Sequence, residues 1–165
     1  FESEQGVGTT FYIELPFQID HNIKHEELKT KEIKKASIKG VNVLLVEDNE
    51  LNMEIAEFLL TNAGAEIIKA SNGKEAVEAF AKSGVGEINV ILMDIMMPVM
   101  DGLEATREIR TMNRSDASAV VIIAMTANAF TEDKTKALKS GMDDYLTKPL
   151  ESEKLIRALS RYKHN

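Results

Sequence analysis

From Val41 onward, short apolar segments alternate with segments in which apolar residues recur every three or four positions. Three segments are apolar almost throughout, which is typical of strands buried on both faces of a sheet; they are VNVLLV (41–46), VILM (90–93) and AVVIIAM (119–125). Two shorter strands are predicted over 66–70 and 142–146. The helical spacing predicts five helices, over 50–63, 73–81, 102–112, 131–140 and 151–161.

This alternation predicts an α/β fold, a doubly wound parallel sheet of five strands with helices on both sides. In the first helix the residues at helical spacing are Leu51, Ile55, Phe58, Leu59 and Asn62.

The first 40 residues have a different pattern. FYIELPF (11–17) alternates apolar and polar positions and predicts a half-buried strand. The polar, Lys/Glu-rich stretch that follows predicts a linker over 20–40.

Composition narrows the function classes. The 165 residues carry a formal charge of −7, which argues against nucleic-acid binding, since phosphate backbones require a basic surface. The absence of cysteine excludes disulfides, thiolate metal sites and thiol nucleophiles, and suits a reducing cytoplasm.

No run approaches the ~18 apolar residues of a membrane span, so we expect no direct membrane contact. Because the chain begins with Phe1 and not Met, we expect it to belong to a longer parent protein, with or without a membrane anchor.

Charged and hydroxyl side chains follow the predicted strands at their carboxyl ends. These residues are Glu47 and Asp48 after the first strand, Asp94 after the third, Thr126 after the fourth and Lys148 after the fifth. Because ligands of such sheets bind beyond the carboxyl ends of the strands, we expect these side chains to converge on one edge.

The chemistry of these residues points to phosphoryl transfer. Carboxylate oxygens are the ligands that Mg²⁺ takes in proteins, and an aspartate can attack phosphorus to give an aspartyl phosphate. A lysine ammonium and a threonine hydroxyl can both contact phosphoryl oxygens. The sequence therefore predicts a magnesium-dependent phosphoryl-transfer site.

Four motifs make the chain similar to a known family. LLVEDNELN (44–52), MDIMMPVMDG (93–102), AMTANA (124–129) and YLTKPL (145–150) closely resemble the response-regulator receiver domain of two-component signalling. The resemblance implies a flavodoxin-like sheet with strand order 2-1-3-4-5 and a receiver domain over 41–163. It also implies a cis peptide bond between Lys148 and Pro149.

The resemblance also implies roles for individual residues. Asp94 matches the phosphoacceptor, and Lys148 and Thr126 match the residues that contact the phosphoryl group. Thr126 and Tyr145 match the switch pair of the family. The implied Mg²⁺ ligands are the side chains of Glu47, Asp48 and Asp94 and the backbone carbonyl of Met96.

Two features indicate a hybrid sensor histidine kinase. EDN followed by a second Asn, Asn52, resembles the receivers of hybrid kinases, and GVGTTFYIELPF (6–17) resembles the end of the kinase ATP-binding domain. We therefore interpret residues 1–19 as a remnant of that domain, which cannot bind ATP alone. The implied function is transfer of a phosphoryl group from the phosphohistidine of a kinase dimerisation domain or a histidine phosphotransfer domain to Asp94. The chain itself would contribute only the receiver's self-phosphorylation and autodephosphorylation chemistry.

Two alternatives remain open at this point. A pseudo-receiver would act as an unphosphorylated docking module, although such modules typically lack one of the residues present here. A haloacid-dehalogenase-type phosphatase also uses an aspartate nucleophile, but it requires a second Asp two residues on, where this chain has Met96.

Overall fold

The structure, a computed structural model, describes residues 1–14, 38–127 and 131–162, without the side chains of 131–134. The chain divides into two compact units, Phe1–Ile33 and Lys34–Asn165. In the described part of the first unit, strands β1 (Glu2–Glu4) and β2 (Gly8–Thr10) form an antiparallel hairpin.

The strand predicted over 11–17 is wrong for its first four residues. Residues 11–14 have no regular secondary structure, and Phe11, Tyr12 and Ile13 are exposed. An alternating pattern forms a strand only where neighbouring strands and a core cover its apolar face, and β1 and β2 are themselves exposed throughout. Residues 15–17 and most of the predicted linker, 20–37, lie outside the described residues.

The second unit contains the predicted parallel sheet. Its strands are β3 (Asn42–Val46), β4 (Glu66–Ala70), β5 (Val90–Asp94), β6 (Val121–Thr126) and β7 (Asp144–Thr147). Its helices are α1 (Glu50–Asn62), α2 (Gly73–Lys82), α3 (Gly102–Thr111), α4 (Thr131–Ser140) and α5 (Ser152–Ser160). The order β4-β3-β5-β6-β7 places the second strand of this sheet outside the first and confirms the predicted topology.

Two apolar clusters lie on opposite faces of the sheet, as the alternation of side chains along β3 shows. Leu44 of β3 packs in the cluster that receives Phe80 of α2 and Ile109 of α3. Leu45 packs in the other cluster, with Leu60 of α1. Ile38 is fully buried in the cluster that contains Leu45.

Helix α1 has apolar residues on two faces. Its buried residues are Ala56 and Leu60, whereas Leu51, Ile55 and Phe58 are 64%, 46% and 66% exposed. These three lie at i, i+4 and i+7, on one side of the helix. We call them the α1 stripe. The helical period is therefore as the sequence indicates, but most of the residues noted there face outward.

The carboxyl end of β5 is held against the start of α3. The Ile95 amide donates to the Met125 carbonyl of β6 at 3.3 Å, and the Gly102 amide donates to the Ile95 carbonyl at 3.0 Å. Asp101 caps α3, since its side chain accepts from the Glu104 amide at 2.7 Å. These bonds fix the backbone on both sides of Asp94.

A methyl group at Gly102 should disrupt this contact. A Cβ there would lie 2.0 Å from the backbone oxygen of Asp94 and 2.8 Å from Cγ of Met93. We expect Gly102→Ala to lower the free energy of unfolding by about 3 kcal/mol, measured by urea denaturation, because such overpacking forces the backbone to shift.

The matched control is Gly84→Ala, where a Cβ would meet only the flexible side chain of Glu87, at 3.3 Å. We expect that variant to unfold within about 0.5 kcal/mol of the wild type. Equal stability of Gly102→Ala and the wild type would contradict the close approach of α3 to β5.

Candidate active site

Three carboxylates meet at the carboxyl edge of the sheet. Glu47 and Asp48 directly follow β3, and Asp94 is the last residue of β5. One oxygen of each lies within 4.8 Å of the others. Glu47 is 3% and Asp94 7% exposed, while Asp48 is exposed. The three residues could hold a cation with oxygen ligands.

Lys148 joins two of these carboxylates. Its Nζ lies 2.5 Å from Oε2 of Glu47 and 2.6 Å from Oδ2 of Asp94. Its backbone amide donates to the Thr126 carbonyl at 2.8 Å, and the peptide bond to Pro149 is cis, as predicted. Three carboxylates and one ammonium leave the cluster with two negative charges, which suits a divalent cation.

Burial and neighbouring charges shift the pKa values of Asp94 and Lys148. Burial raises the pKa of the Asp94 carboxyl, and the nearby charge of Glu47 adds to this, although the hydrogen bond from Lys148 opposes it. Burial by itself would lower the pKa of Lys148, but the hydrogen bonds and charges of Asp94 and Glu47 outweigh it and raise that pKa. Lys148 is therefore fully protonated at neutral pH.

The remaining predicted residues lie nearby. Thr126 is buried at the end of β6, the strand between β5 and β7. Tyr145 is half-buried against the apolar cluster that contains Leu44. In the parallel pairing of β6 and β7 it lies beside Ala124, two residues before Thr126. The Met96 amide donates to Oδ1 of Asp94 at 3.2 Å.

One contact of the site was missed by sequence reasoning. The side-chain amide of Asn52 donates from Nδ2 to Oε1 of Glu47 at 3.0 Å. Sequence reasoning used Asn52 only as a marker of hybrid kinases. The available signal was Asn49, a good helix N-cap whose position places Asn52 in the first turn of α1, beside the end of β3.

A buried aspartate paired with lysine at the carboxyl ends of the strands of a five-stranded parallel sheet is the arrangement of a receiver-type fold. Residues 43–160 match the response regulator receiver domain family, and the chain belongs to that family. It is 42% identical over 120 residues to hybrid signal transduction histidine kinase I of Dictyostelium discoideum. The match covers 72% of this chain but only 7% of that relative.

Solved structures agree with the fold. The receiver domain of the sensor histidine kinase PA1611 from Pseudomonas aeruginosa, crystallised with magnesium in its active-site cleft, superimposes with a TM-score of 0.68 at 40% identity, over 74% of this chain and 97% of that one. The receiver domain of Ssk1 from Saccharomyces cerevisiae, in complex with the histidine phosphotransfer protein Ypd1, gives 0.66 at 34% identity, over 74% and 88%.

These comparisons confirm a receiver of the hybrid-kinase type and favour neither alternative, the pseudo-receiver or the phosphatase. Across the described ranges, no helix has the length and apolar character needed to cross a membrane.

The raised pKa of Asp94 predicts the pH dependence of stability. Because the folded-state pKa exceeds the unfolded one, the ionised carboxylate costs folding free energy at neutral pH, and this cost disappears at pH values below the unfolded pKa. We expect Asp94→Asn to unfold at higher urea concentration than the wild type at pH 7 in EDTA, with the difference shrinking as pH falls.

Asp101→Asn is the control, because either residue can cap α3 and Asp101 is exposed. It should show no comparable gain at pH 7. A destabilised Asp94→Asn protein at pH 7 would contradict the assigned direction of the shift.

Proposed function

We propose that this receiver accepts a phosphoryl group from a phosphohistidine on Asp94, in a reaction that depends on Mg²⁺. The observation that carries the proposal is the buried Asp94 carboxylate with the Lys148 ammonium at 2.6 Å, inside a cluster of three carboxylates. The Lys148 ammonium beside this carboxylate can compensate negative charge on an arriving phosphoryl group.

In the proposed step a carboxylate oxygen of Asp94 forms a bond to phosphorus while the bond from phosphorus to the histidine nitrogen breaks. The electron pair of the broken bond stays on the imidazole nitrogen, which takes up a proton. Lys148, 2.6 Å from Asp94, would contact an oxygen of the arriving phosphoryl group, and the Thr126 hydroxyl would contact another. Positioning and charge therefore supply most of the catalysis.

The proposed cation is Mg²⁺, held by the side chains of Glu47, Asp48 and Asp94 and by the backbone carbonyl of Met96. The fit rests on the donor set, since hard carboxylate oxygens suit this ion and the cluster retains two negative charges. When bound, Mg²⁺ would offset the negative charge of the site and of the phosphoryl group. Magnesium in the cleft of the similar Pseudomonas receiver supports this assignment.

Relay to or from a histidine phosphotransfer domain is the proposed partnership. The α1 stripe offers an exposed apolar surface, and its member Ile55 lines the same cleft as Glu47 and Lys148. A histidine phosphotransfer domain docked on the stripe would bring its histidine to the cleft. The complex of the similar Ssk1 receiver with Ypd1 supports this choice of partner.

Phosphorylation would then act through Thr126 and Tyr145. The Thr126 hydroxyl would be drawn toward the phosphoryl group and the Tyr145 ring would follow, which amounts to a two-state shift of the surface around β7.

Residues 1–19 are proposed as the end of a kinase ATP-binding domain, 20–40 as a linker and 41–163 as the receiver. We propose that the chain acts in the cytoplasm and that nucleic acid is not among its partners.

Phosphorylation at Asp94 is tested by intact-mass measurement after incubation with acetyl phosphate and MgCl₂. We expect the wild type to gain one phosphoryl unit, and expect this gain to disappear in Asp94→Asn or when EDTA replaces Mg²⁺. Asp101→Asn, an amide substitution at an exposed carboxylate seven residues on, should still be phosphorylated. A gain that persists in Asp94→Asn would overturn the assignment of the phosphoacceptor.

Docking on the α1 stripe is tested with phosphorylated Ypd1 as donor. We expect Phe58→Ala to slow transfer roughly tenfold, because exposed aromatic residues contribute strongly to interfaces, while phosphorylation by acetyl phosphate stays at the wild-type rate. Val85→Ala, which also shortens an exposed apolar side chain, is the matched control. Unchanged transfer from Ypd1 to Phe58→Ala would exclude the stripe as its docking surface.

A further inference from the structure

The contact between Asn52 and Glu47 points to a residue that positions the cation site. We propose that Asn52 holds the Glu47 carboxylate in the orientation that a divalent cation needs, an inference that rests on the proposed function. The observation is the hydrogen bond of 3.0 Å from Nδ2 of Asn52 to Oε1 of Glu47. Asn52 does not belong to the three-carboxylate cluster itself.

The two oxygens of Glu47 have different partners. Oε1 accepts from Asn52, and Oε2 lies 2.5 Å from the Lys148 ammonium. Lys148 is positively charged, so it competes with a cation for Glu47, and it also contacts Asp94. Asn52 is neutral, so it orients the carboxylate without opposing a cation. It can keep its contact when Lys148 turns toward a phosphoryl group.

Glutamate makes such a support necessary. Its side chain has one more rotatable bond than aspartate, and fixing that bond costs conformational entropy at the moment of binding. A hydrogen bond formed beforehand removes part of this cost, in the way that outer partners orient metal ligands generally.

The start of α1 explains why Asn52 can reach Glu47. The side chain of Asn49 accepts a hydrogen bond from the backbone amide of Asn52 at 3.0 Å and so caps the helix. This bond fixes the first turn directly after β3. The two asparagines therefore act in sequence: Asn49 sets the helix start, and Asn52 reaches back from it to the acidic cluster.

The test is calorimetric titration of the full chain with MgCl₂. Loss of an outer partner typically weakens metal binding 10–100-fold, so we expect Asn52→Ala to raise the Mg²⁺ dissociation constant about tenfold. Asn52→Gln keeps the amide donor and should restore part of the affinity. Asn62→Ala makes the same substitution at the last residue of α1 and should bind within about twofold of the wild type.

A second measurement separates positioning from a general structural role. In EDTA, urea unfolding midpoints of Asn52→Ala and Asn62→Ala should shift by similar amounts. Wild-type affinity in Asn52→Ala, equal weakening in Asn62→Ala, or a much larger loss of stability in Asn52→Ala would each overturn the inference while leaving the proposed function intact. A wild-type chain that binds no Mg²⁺ would overturn both.

Discussion

The ammonium of Lys148 between Glu47 and Asp94 is the interaction on which the site depends. Three carboxylates within 4.8 Å of one another repel strongly, and two of them are buried. Lys148 compensates one charge with contacts of 2.5 and 2.6 Å. The compensation is partial, so the cluster keeps a net negative charge, which favours a divalent cation. Without Lys148, the free-energy cost of burying the charged carboxylates of Glu47 and Asp94 would be prohibitive.

The order of the strands makes this interaction possible. Glu47 follows β3 and Asp94 ends the adjacent strand β5, whereas Lys148 follows β7, which is separated from β5 by β6. Only a long side chain spans that distance, and the Lys148 backbone is fixed by its bond to the Thr126 carbonyl at the end of β6. Thr126 therefore ends the strand that lies between the strand of Asp94 and the strand that Lys148 follows.

Much of this arrangement follows from local sequence. The apolar runs predict β3, β5 and β6 because strands buried on both faces admit few polar residues, and the charged residues at their ends then fall on one edge. The predicted strand over 11–17 was wrong over 11–14, because an alternating pattern forms a strand only where a sheet covers its apolar face. The bond from Asn52 to Glu47 was not predictable, because periodicity gives the face of a residue but not its hydrogen-bond partner.

Helix α1 shows why the period of a helix does not determine which side is buried. It has apolar residues on both sides, and the sheet buries the side with Ala56 and Leu60. A rotation of α1 that buried the α1 stripe would also carry Asn52 away from Glu47. The same orientation that exposes the stripe thus also brings Asn52 within hydrogen-bonding distance of Glu47, from a helix that begins at the Asn49 cap.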